Sequence, residues 1–171
     1  MRAPLLRLLF LSCALALVSG CAGYQLGTGS APKFTTLFVA PVTSEALAPQ
    51  ARVELTTRIR EAFIRDGRVR LVESAAAADA VLEVTIARYG RTLAVSQPND
   101  TGLARRFDLN VQARATLRNN RAQDPYFTDR ILEAKRGVFT DDGLVPSEYQ
   151  ILPVLAESLA NEAVHAVLDT W

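Results

Sequence analysis

Few residues in this chain of 171 could carry out chemistry, and Cys21 is the most distinctively placed of them. It follows a short basic region over residues 2–7, an apolar run over residues 8–18 and the small pair Ser19-Gly20. The apolar run is about half of the roughly 20 residues that a membrane-spanning helix needs, and small residues suit the cleft of a signal peptidase. We therefore predict a secretion signal that is cut off directly before the cysteine.

A cysteine at the first mature position is more than ordinary cleavage requires. The segment Val18-Ser19-Gly20-Cys21 resembles the bacterial lipobox, in which the thiol receives a diacylglyceryl group and the new amino terminus is acylated after cleavage. Several acyl chains, at about 0.8 kcal/mol per buried methylene, anchor a protein permanently where one chain would be marginal. Resemblance to lipoprotein sorting signals implies the outer membrane, because Ala22 stands where an aspartate would favour retention at the inner membrane. The alternative is an ordinary secretion signal with a cysteine there by chance.

The remaining candidates for chemistry do not form a catalytic or metal-binding group. Cys13 leaves with the signal and Cys21 is consumed by lipid, so no thiol remains for a disulfide, a metal or a nucleophile. His165 is the only histidine, and we expect it on the surface. The pair Asp141-Asp142 stands before a glycine, which favours a turn over an acid pair or a metal site. With no phosphate-binding loop and no nucleophile elbow, the sequence predicts no enzyme, no metal and no cofactor.

Length and charge predict one domain with no affinity for nucleic acid. The chain has 19 lysines and arginines against 18 acidic residues, and removal of the two arginines in the signal leaves 17 against 18, a net charge of −1. That balance lacks the basic excess expected of a nucleic-acid-binding domain. We predict a signal peptide over residues 1–20, a glycine-containing lipidated tether over residues 21–33 and a single domain over residues 34–171.

The first half of the domain predicts two parallel strands joined by a helix. Residues Phe34 to Val42 form an apolar, β-branched run typical of a strand covered on both faces. Residues Gln50 to Asp66 show helical spacing of apolar side chains, and Asp66-Gly67 ends the pattern. Residues Val69 to Glu73 form a short second strand, and a strand, helix, strand order is typical of a parallel pair. The residues predicted to face the core from this helix are Leu55, Ile59, Ala62 and Phe63.

A long hairpin follows, with strands over Val81 to Val95 and Ala104 to Leu117 and a polar tip over Ser96 to Leu103. The second strand alternates strictly, so one face is predicted to be core and the other exposed. Its core residues are predicted to be Phe107, Leu109, Val111, Ala113, Ala115 and Leu117, and its exposed residues Arg106, Asp108, Asn110, Gln112, Arg114, Thr116 and Arg118.

The register of the hairpin is predicted from the alignment of its apolar faces. Placing Val95 opposite Ala104 aligns the apolar residues of both strands and sets Arg91 opposite Asp108 as a cross-strand ion pair. Arg88 then falls on the core side, which indicates either a bulge near Gly90 or a charge at the rim of the sheet.

A third long strand is predicted over Tyr126 to Phe139, but its mixed alternation does not determine a register. A final helix over Pro153 to Asp169 carries one apolar stripe, with Pro153 in its first turn. Because both helices are apolar on one side, we predict an α+β fold with two helices packed on one face of a mixed, mostly antiparallel sheet of four to five strands. The stripe consists of Leu155, Leu159, Ala163, Val167 and Trp171.

Four motifs then occur in an order and spacing that are typical of one family. They are Cys21-Ala22-Gly23-Tyr24-Gln25-Leu26-Gly27, the strand from Thr36 to Pro41, the helix end and strand from Phe63 to Val72, and Ala78-Asp79-Ala80-Val81-Leu82. Together they make most of the mature chain resemble the lipopolysaccharide-assembly lipoproteins of the outer membrane, the LptE-like family. That resemblance implies two helices against a mostly four-stranded sheet, in agreement with the pattern above.

The resemblance also implies a function and partners. Members of that family sit inside a large outer-membrane β-barrel, the LptD-like lipopolysaccharide translocon, help it to assemble and assist delivery of lipopolysaccharide to the cell surface. Contact with such a barrel is expected from the polar strand face and the hairpin tip, at Asn99, Asp108 and Gln112. Two alternatives stay open, since small α/β lipoproteins also activate peptidoglycan synthases or serve as auxiliary subunits of envelope lipid transporters.

Arginines near the hairpin tip suggest a ligand. Arg88, Arg91, Arg105 and Arg106 lie close together in the predicted hairpin, and arginine binds phosphate through paired hydrogen bonds. Lipopolysaccharide carries phosphates, so these four residues are candidate contacts for its head group. The alternative is that Arg91 pairs with Asp108 and the other three are solvated.

Overall fold

The computed structural model describes residues 32–93, 106–139 and 148–169 of the chain. These residues form six strands, two α-helices and a short 3-10 turn. The elements in chain order are β1 (Thr36–Val39), β2 (Thr43–Ser44), α1 (Pro49–Asp66), β3 (Arg70–Leu71), the 3-10 turn (Ala75–Ala77), β4 (Ala80–Leu93), β5 (Arg106–Asn119), β6 (Phe127–Phe139) and α2 (Glu148–Leu168).

The strands form one mixed sheet in the order β3-β1-β4-β5-β6, with β2 also paired to β4. Strand β1 runs parallel to both β3 and β4, whereas β4, β5 and β6 are antiparallel. This confirms the predicted α+β class. The sixth strand arises because the predicted strand Phe34 to Val42 is divided into β1 and β2 around Pro41, which has no amide to donate. The predicted strand Val69 to Glu73 is reduced to the two residues of β3.

Helix α1 begins one residue before its predicted start and ends where its sequence predicts. Pro49 occupies the first turn, and the predicted core residues of this helix are all buried. Gly67 follows in the left-handed conformation at a φ of 75°, and its N–H donates to the carbonyl of Phe63 at 3.1 Å. A left-handed residue at this point is favourable for glycine and costly for other residues, so Gly67 ends the helix.

Helix α2 begins earlier than predicted. Pro153 lies inside it and not in its first turn, because the helix starts at Glu148. Leu152 is buried and lies one turn before Leu155, so it extends the apolar stripe upstream of the proline and its packing offsets the lost hydrogen bond. Residues Gln150–Leu168 are long and apolar enough for a membrane span, yet half of that stretch is buried inside the fold, as in a core helix.

Both helices cover the same face of the sheet. The predicted alternation of β5 is confirmed, since Leu109, Val111, Ala113, Ala115 and Leu117 are all buried in one core with the helices. The register of the first part of the hairpin is also confirmed, because Leu82 lies opposite Leu117 and Ile86 lies opposite Ala113. The other face of the sheet carries the polar residues of β5, and we call it the open face.

One buried carboxylate ties the start of β1 to the start of β4. Asp79 Oδ2 accepts hydrogen bonds from the backbone N–H of Thr35 and of Thr36, both at 3.0 Å, and from the Thr35 hydroxyl at 2.9 Å. Its other oxygen accepts from the guanidinium of Arg121, in the turn after β5. The Asp79 N–H donates in return to the hydroxyl of Thr36 at 2.9 Å. The Asp79 of the predicted Ala78-Asp79-Ala80 motif is therefore a structural clamp.

Candidate functional site: the open face of the sheet

A bulge in β4 decides which side chains reach the open face. Ile86 lies opposite Ala113, but Arg88 lies opposite the very next residue of β5, Gln112, so Ala87 is an extra residue in β4. The bulge turns Arg88 away from the core and onto the open face, where it is exposed. Of the two predicted explanations for Arg88, the bulge is confirmed, at Ala87 and not at Gly90.

The same bulge makes the predicted pair between Arg91 and Asp108 wrong. Beyond Ala87 every residue of β4 is shifted by one, so Arg91 lies opposite Leu109 and Thr92 lies opposite Asp108. Leu109 is a core residue, so Arg91 stands on the helix side of the sheet while Arg88 stands on the open face. The two arginines thus belong to opposite faces by register, although both border one depression of the sheet.

The other predicted site residues have varied positions. Arg106 lies in β5 with its backbone opposite Phe139, whereas Arg105, Asn99 and Cys21 lie outside the described residues. Asp141-Asp142, predicted to be a turn, also lies outside them. His165 is exposed on α2, as predicted, and its Nδ1 contacts the carboxylate of Asp169.

Asp108 pairs with a residue that sequence reasoning did not find. Its carboxylate lies 2.8 Å from the ammonium of Lys135 on β6, and the Asp108 side chain is largely buried although it belongs to the open face. The register of β6 was needed to find this partner. That register sets Lys135 opposite Asn110 and Glu133 opposite Gln112, so both charges join the open face.

The rest of the open face is also internally paired. Arg114 contacts Glu45 and lies 3.7 Å from Asp129, Arg118 lies 3.4 Å from Glu83, and Asn110 donates to the hydroxyl of Thr92 at 2.8 Å. Gln112 donates to the carboxylate of Glu133. The face is thus strongly polar and of mixed charge, and most of its charged groups are paired with one another.

A shallow depression lies on this part of the sheet, with a volume of about 480 Å³. Gly90 contributes to it, since a Cβ at that position would meet no atom within 4 Å. Three cations, Arg88, Arg91 and Lys135, line the depression together with the amides of Asn110 and Gln112. Cations and amide donors in one concave surface can bind phosphate or sugar hydroxyl groups.

The geometry offers no catalytic arrangement within the described part of the chain. Across residues 32–93, 106–139 and 148–169, no three histidine, cysteine, aspartate or glutamate side chains converge to hold a metal ion. The most perturbed carboxylate, Asp79, has its pKa held well below the usual range by hydrogen bonds from Thr35 and Thr36. A carboxylate stabilised in its charged form by fixed backbone donors is a poor general base. The cations and amides of the depression make the open face a candidate surface for binding.

Comparison with known proteins identifies the same kind of protein. A family model described as "LptE: Lipopolysaccharide-assembly" matches residues 34–166. No curated protein sequence matches the chain significantly.

Solved structures show the same fold at low sequence identity. The hypothetical protein CT253 from Chlamydia trachomatis superposes with a TM-score of 0.57 at 14% identity, over 78% of this chain and 95% of its own. Protein XCC0632 from Xanthomonas campestris also gives a TM-score of 0.57 at 14% identity, over 82% of this chain and 88% of its own. A minor lipoprotein from Acinetobacter baumannii gives a TM-score of 0.53 at 14% identity, over 78% of this chain and 92% of its own.

Proposed function

This chain belongs to the LptE family of lipopolysaccharide-assembly proteins, and we propose that it is an outer-membrane lipoprotein that partners and plugs a large β-barrel translocon. In that role it assists assembly of the barrel and delivery of lipopolysaccharide to the cell surface. It acts through surface complementarity and not through catalytic turnover.

The observation that carries this proposal is the internally paired open face. The lumen of a barrel with many strands is polar, and a domain that enters it loses water from its own surface. An unpaired charge buried in this way would be very costly, whereas an ion pair within the domain costs less to bury than either charge alone. The ion pairs of Asp108 with Lys135, Arg114 with Glu45 and Arg118 with Glu83 meet this requirement.

The lipid anchor is the second part of the proposal. We expect the mature protein to begin at an acylated Cys21, followed by the tether over residues 21–33, because Val18-Ser19-Gly20-Cys21 resembles a lipobox. An anchor raises the effective concentration of the domain beside its partner, so contacts of moderate strength suffice.

Mass spectrometry of the purified protein is expected to find an amino-terminal peptide that starts at Cys21 and carries acyl chains. Cys21→Ser is expected to release the protein from the membrane when it is produced alone, since the anchor supplies most of the membrane affinity. An unmodified amino terminus, or a Cys21→Ser protein that stays with the outer membrane, would contradict the lipoprotein assignment.

The barrel partnership can be tested by photocrosslinking in cells. A crosslinker at Gln112 or at the half-exposed Ile131, both on the open face, is expected to capture a protein of barrel size, and one at predicted tip residue Asn99 to do the same. Asp108 is unsuited to this experiment because it is buried against Lys135. The matched control is a crosslinker at Glu162, exposed on α2 on the opposite side of the sheet.

Depletion of the protein should leave the barrel misassembled or degraded and the outer membrane permeable to large hydrophobic antibiotics. Normal barrel levels and permeability after depletion would refute the proposal. Capture of only a peptidoglycan synthase, or of only an inner-membrane transporter, would replace it with one of the two alternative functions.

A direct contact with lipopolysaccharide is proposed at the depression on the open face. Arg88→Ala is expected to weaken binding of purified lipopolysaccharide about tenfold at low salt, the effect of losing one charge-assisted hydrogen bond. Arg105→Ala with Arg106→Ala is expected to act in the same direction. Arg91 also borders the depression, so Arg91→Ala is expected to weaken binding in the same direction.

The control for this prediction is Arg118→Ala, which removes an arginine from the same face that is already paired with Glu83. If binding is equal for the unaltered protein and for the Arg88, Arg105 and Arg106 variants, the ligand role is lost. The barrel role would survive that result, because it depends on the paired face and not on these arginines.

A further inference from the structure

A second exposed surface lies on the helix side of the molecule, at the corner where α1 ends and β3 begins. A depression of about 710 Å³ at this corner is lined by Thr35, Arg60, Ile64, Arg68 and Arg70, among others. We call these five residues the tether corner. It shares no residue with the depression on the open face.

The tether corner combines an exposed apolar side chain with arginines. Ile64, on the outer side of α1, is 67% exposed. Val53 is exposed to the same extent and lies eleven residues earlier, so it falls on the same outward line of α1. Apolar residues on an outward helix line beside basic residues are typical of contact with a membrane interface.

The charges at the corner differ in availability. Arg60 pairs with Glu73 at 2.8 Å, and Arg68 pairs with Asp66 at 2.8 Å. Arg70 is exposed and makes no ion pair within the described part of the chain. Its guanidinium is therefore available for an anionic group.

The position of the corner relative to the amino-terminal side of the domain points to the same partner. Thr35, the residue directly before β1, lines the corner, so the chain enters the folded domain there. A tether of 13 residues can span about 45 Å when extended, so an anchor alone would not fix how the domain sits on the bilayer. A cationic and apolar surface at the point of attachment would fix the orientation of the domain on the bilayer.

We propose that, before the domain enters its barrel, the tether corner rests on an anionic bilayer surface, with Ile64 at the acyl boundary and Arg70 on lipid phosphates, and so orients the domain with its open face away from the lipid. This proposal rests on the anchoring at Cys21 proposed above. The contact orients a protein that the lipid already holds, so it needs little affinity of its own.

The test uses the full lipidated chain in vesicles with one introduced cysteine, since Cys21 is acylated and carries no thiol. Ile64→Cys labelled with a polarity-sensitive fluorophore is expected to shift to the blue and to be quenched by doxyl-labelled lipids in vesicles of phosphatidylethanolamine with phosphatidylglycerol. Labelled Ile131→Cys on the open face is the matched control, and it should show neither effect. Labelled Val53→Cys provides a second reporter on the same line of α1.

Charge reversal tests the phosphate contact. Arg70→Glu in the Ile64→Cys protein is expected to abolish most of the quenching in anionic vesicles, whereas Arg118→Glu on the open face should leave it unchanged. Equal quenching at positions 64 and 131, or no effect of Arg70→Glu, would overturn the proposal.

A label at position 64 that responds only after a barrel is added would also overturn the proposal, and it would assign the corner to a protein partner. Failure of the membrane contact is distinguishable from failure of the proposed function. In the first case crosslinking from Gln112 to the barrel would persist while the label at position 64 stays in water. In the second case the crosslinks themselves would be lost.

Discussion

Asp79→Ala is expected to lower the free energy of unfolding by about 3 kcal/mol, because it leaves two backbone N–H groups at the start of β1 without their acceptor. Thr36 is buried, so no water can readily replace the carboxylate at its amide. The loss should appear as a lower denaturant midpoint in urea titrations followed by circular dichroism. Asp79→Asn keeps one acceptor oxygen, so its free energy of unfolding should lie between those of Asp79→Ala and the unaltered protein.

The control is Asp124→Ala, which removes an exposed carboxylate from the turn before β6. It should change stability by no more than about 0.5 kcal/mol, as surface substitutions usually do. Arg121→Ala should have a smaller effect than Asp79→Ala, because the Arg121 side chain is largely exposed and leaves only one oxygen of Asp79 to water. Equal effects of Asp79→Ala and Asp124→Ala would contradict the clamp.

The same clamp predicts a pH dependence. Hydrogen bonds from Thr35 and Thr36 lower the pKa of Asp79 in the folded state, so the unfolded state binds more protons in acid. The stability that Asp79 contributes to the folded state is complete above the unfolded pKa of about 4 and is lost as the pH falls below that value. Arg68 lowers the pKa of Asp66 in the same direction. Asp79→Asn should therefore reduce, but not abolish, the loss of stability between neutral pH and strong acid.

The predictable parts of the fold are those where one local pattern has one solution. Strand β5 alternates over its whole length, and only one of its faces could be buried, so five of its six predicted core residues are buried. Phe107 is only partly buried, and Asp108, predicted to be exposed, is buried against Lys135. Helix α1 has a proline at its start, one apolar stripe and a glycine at its end, and each signal agrees with the others. Consistent local signals of this kind are the ones that tertiary packing rarely overrides.

The unpredictable parts depend on single inserted residues and on packing between distant elements. The bulge at Ala87 changed the partner of Arg91, and nothing in alanine itself marks a bulge. In β6 an extra residue near Asp129, at a φ of 48°, shifts the register against β5. Arg130 faces the helix side and reaches the carbonyl of Ala166 on α2, which explains the mixed alternation of this strand.

These register changes also limited prediction of the candidate site. The polar face of β5 could be recognised from sequence, but its partners could not, because Lys135 and Glu133 reach it only through the register of β6. The predicted arginine cluster stays a prediction: one extra residue gives Arg88 and Arg91 opposite faces, both border the same depression, and Arg105 lies outside the described residues.

Truncation of a core residue between the helices and the sheet is expected to cause a second large loss of stability. Leu159→Ala is expected to cost about 2 to 5 kcal/mol in the free energy of unfolding, because it removes three buried carbon atoms and leaves a cavity. Leu159 is 1% exposed and belongs to the same core as Leu109, Val111 and Leu155. It adjoins an apolar gap of about 10 Å³ that Leu55 and Ile86 also line, so the new cavity would join an existing one. The measurement is a urea titration with the slope compared between variants.

Gln112→Ala is the matched control, since it lies on the opposite side of the sheet and donates only to Glu133. It should change stability by no more than about 0.5 kcal/mol, because water can replace the lost partner at this partly exposed position. A large loss at Gln112 together with a small loss at Leu159 would mean that the helices cover the other face of the sheet. The surface proposed to meet the barrel would then be the core, and the paired charges that support the plug function would have no access to a partner.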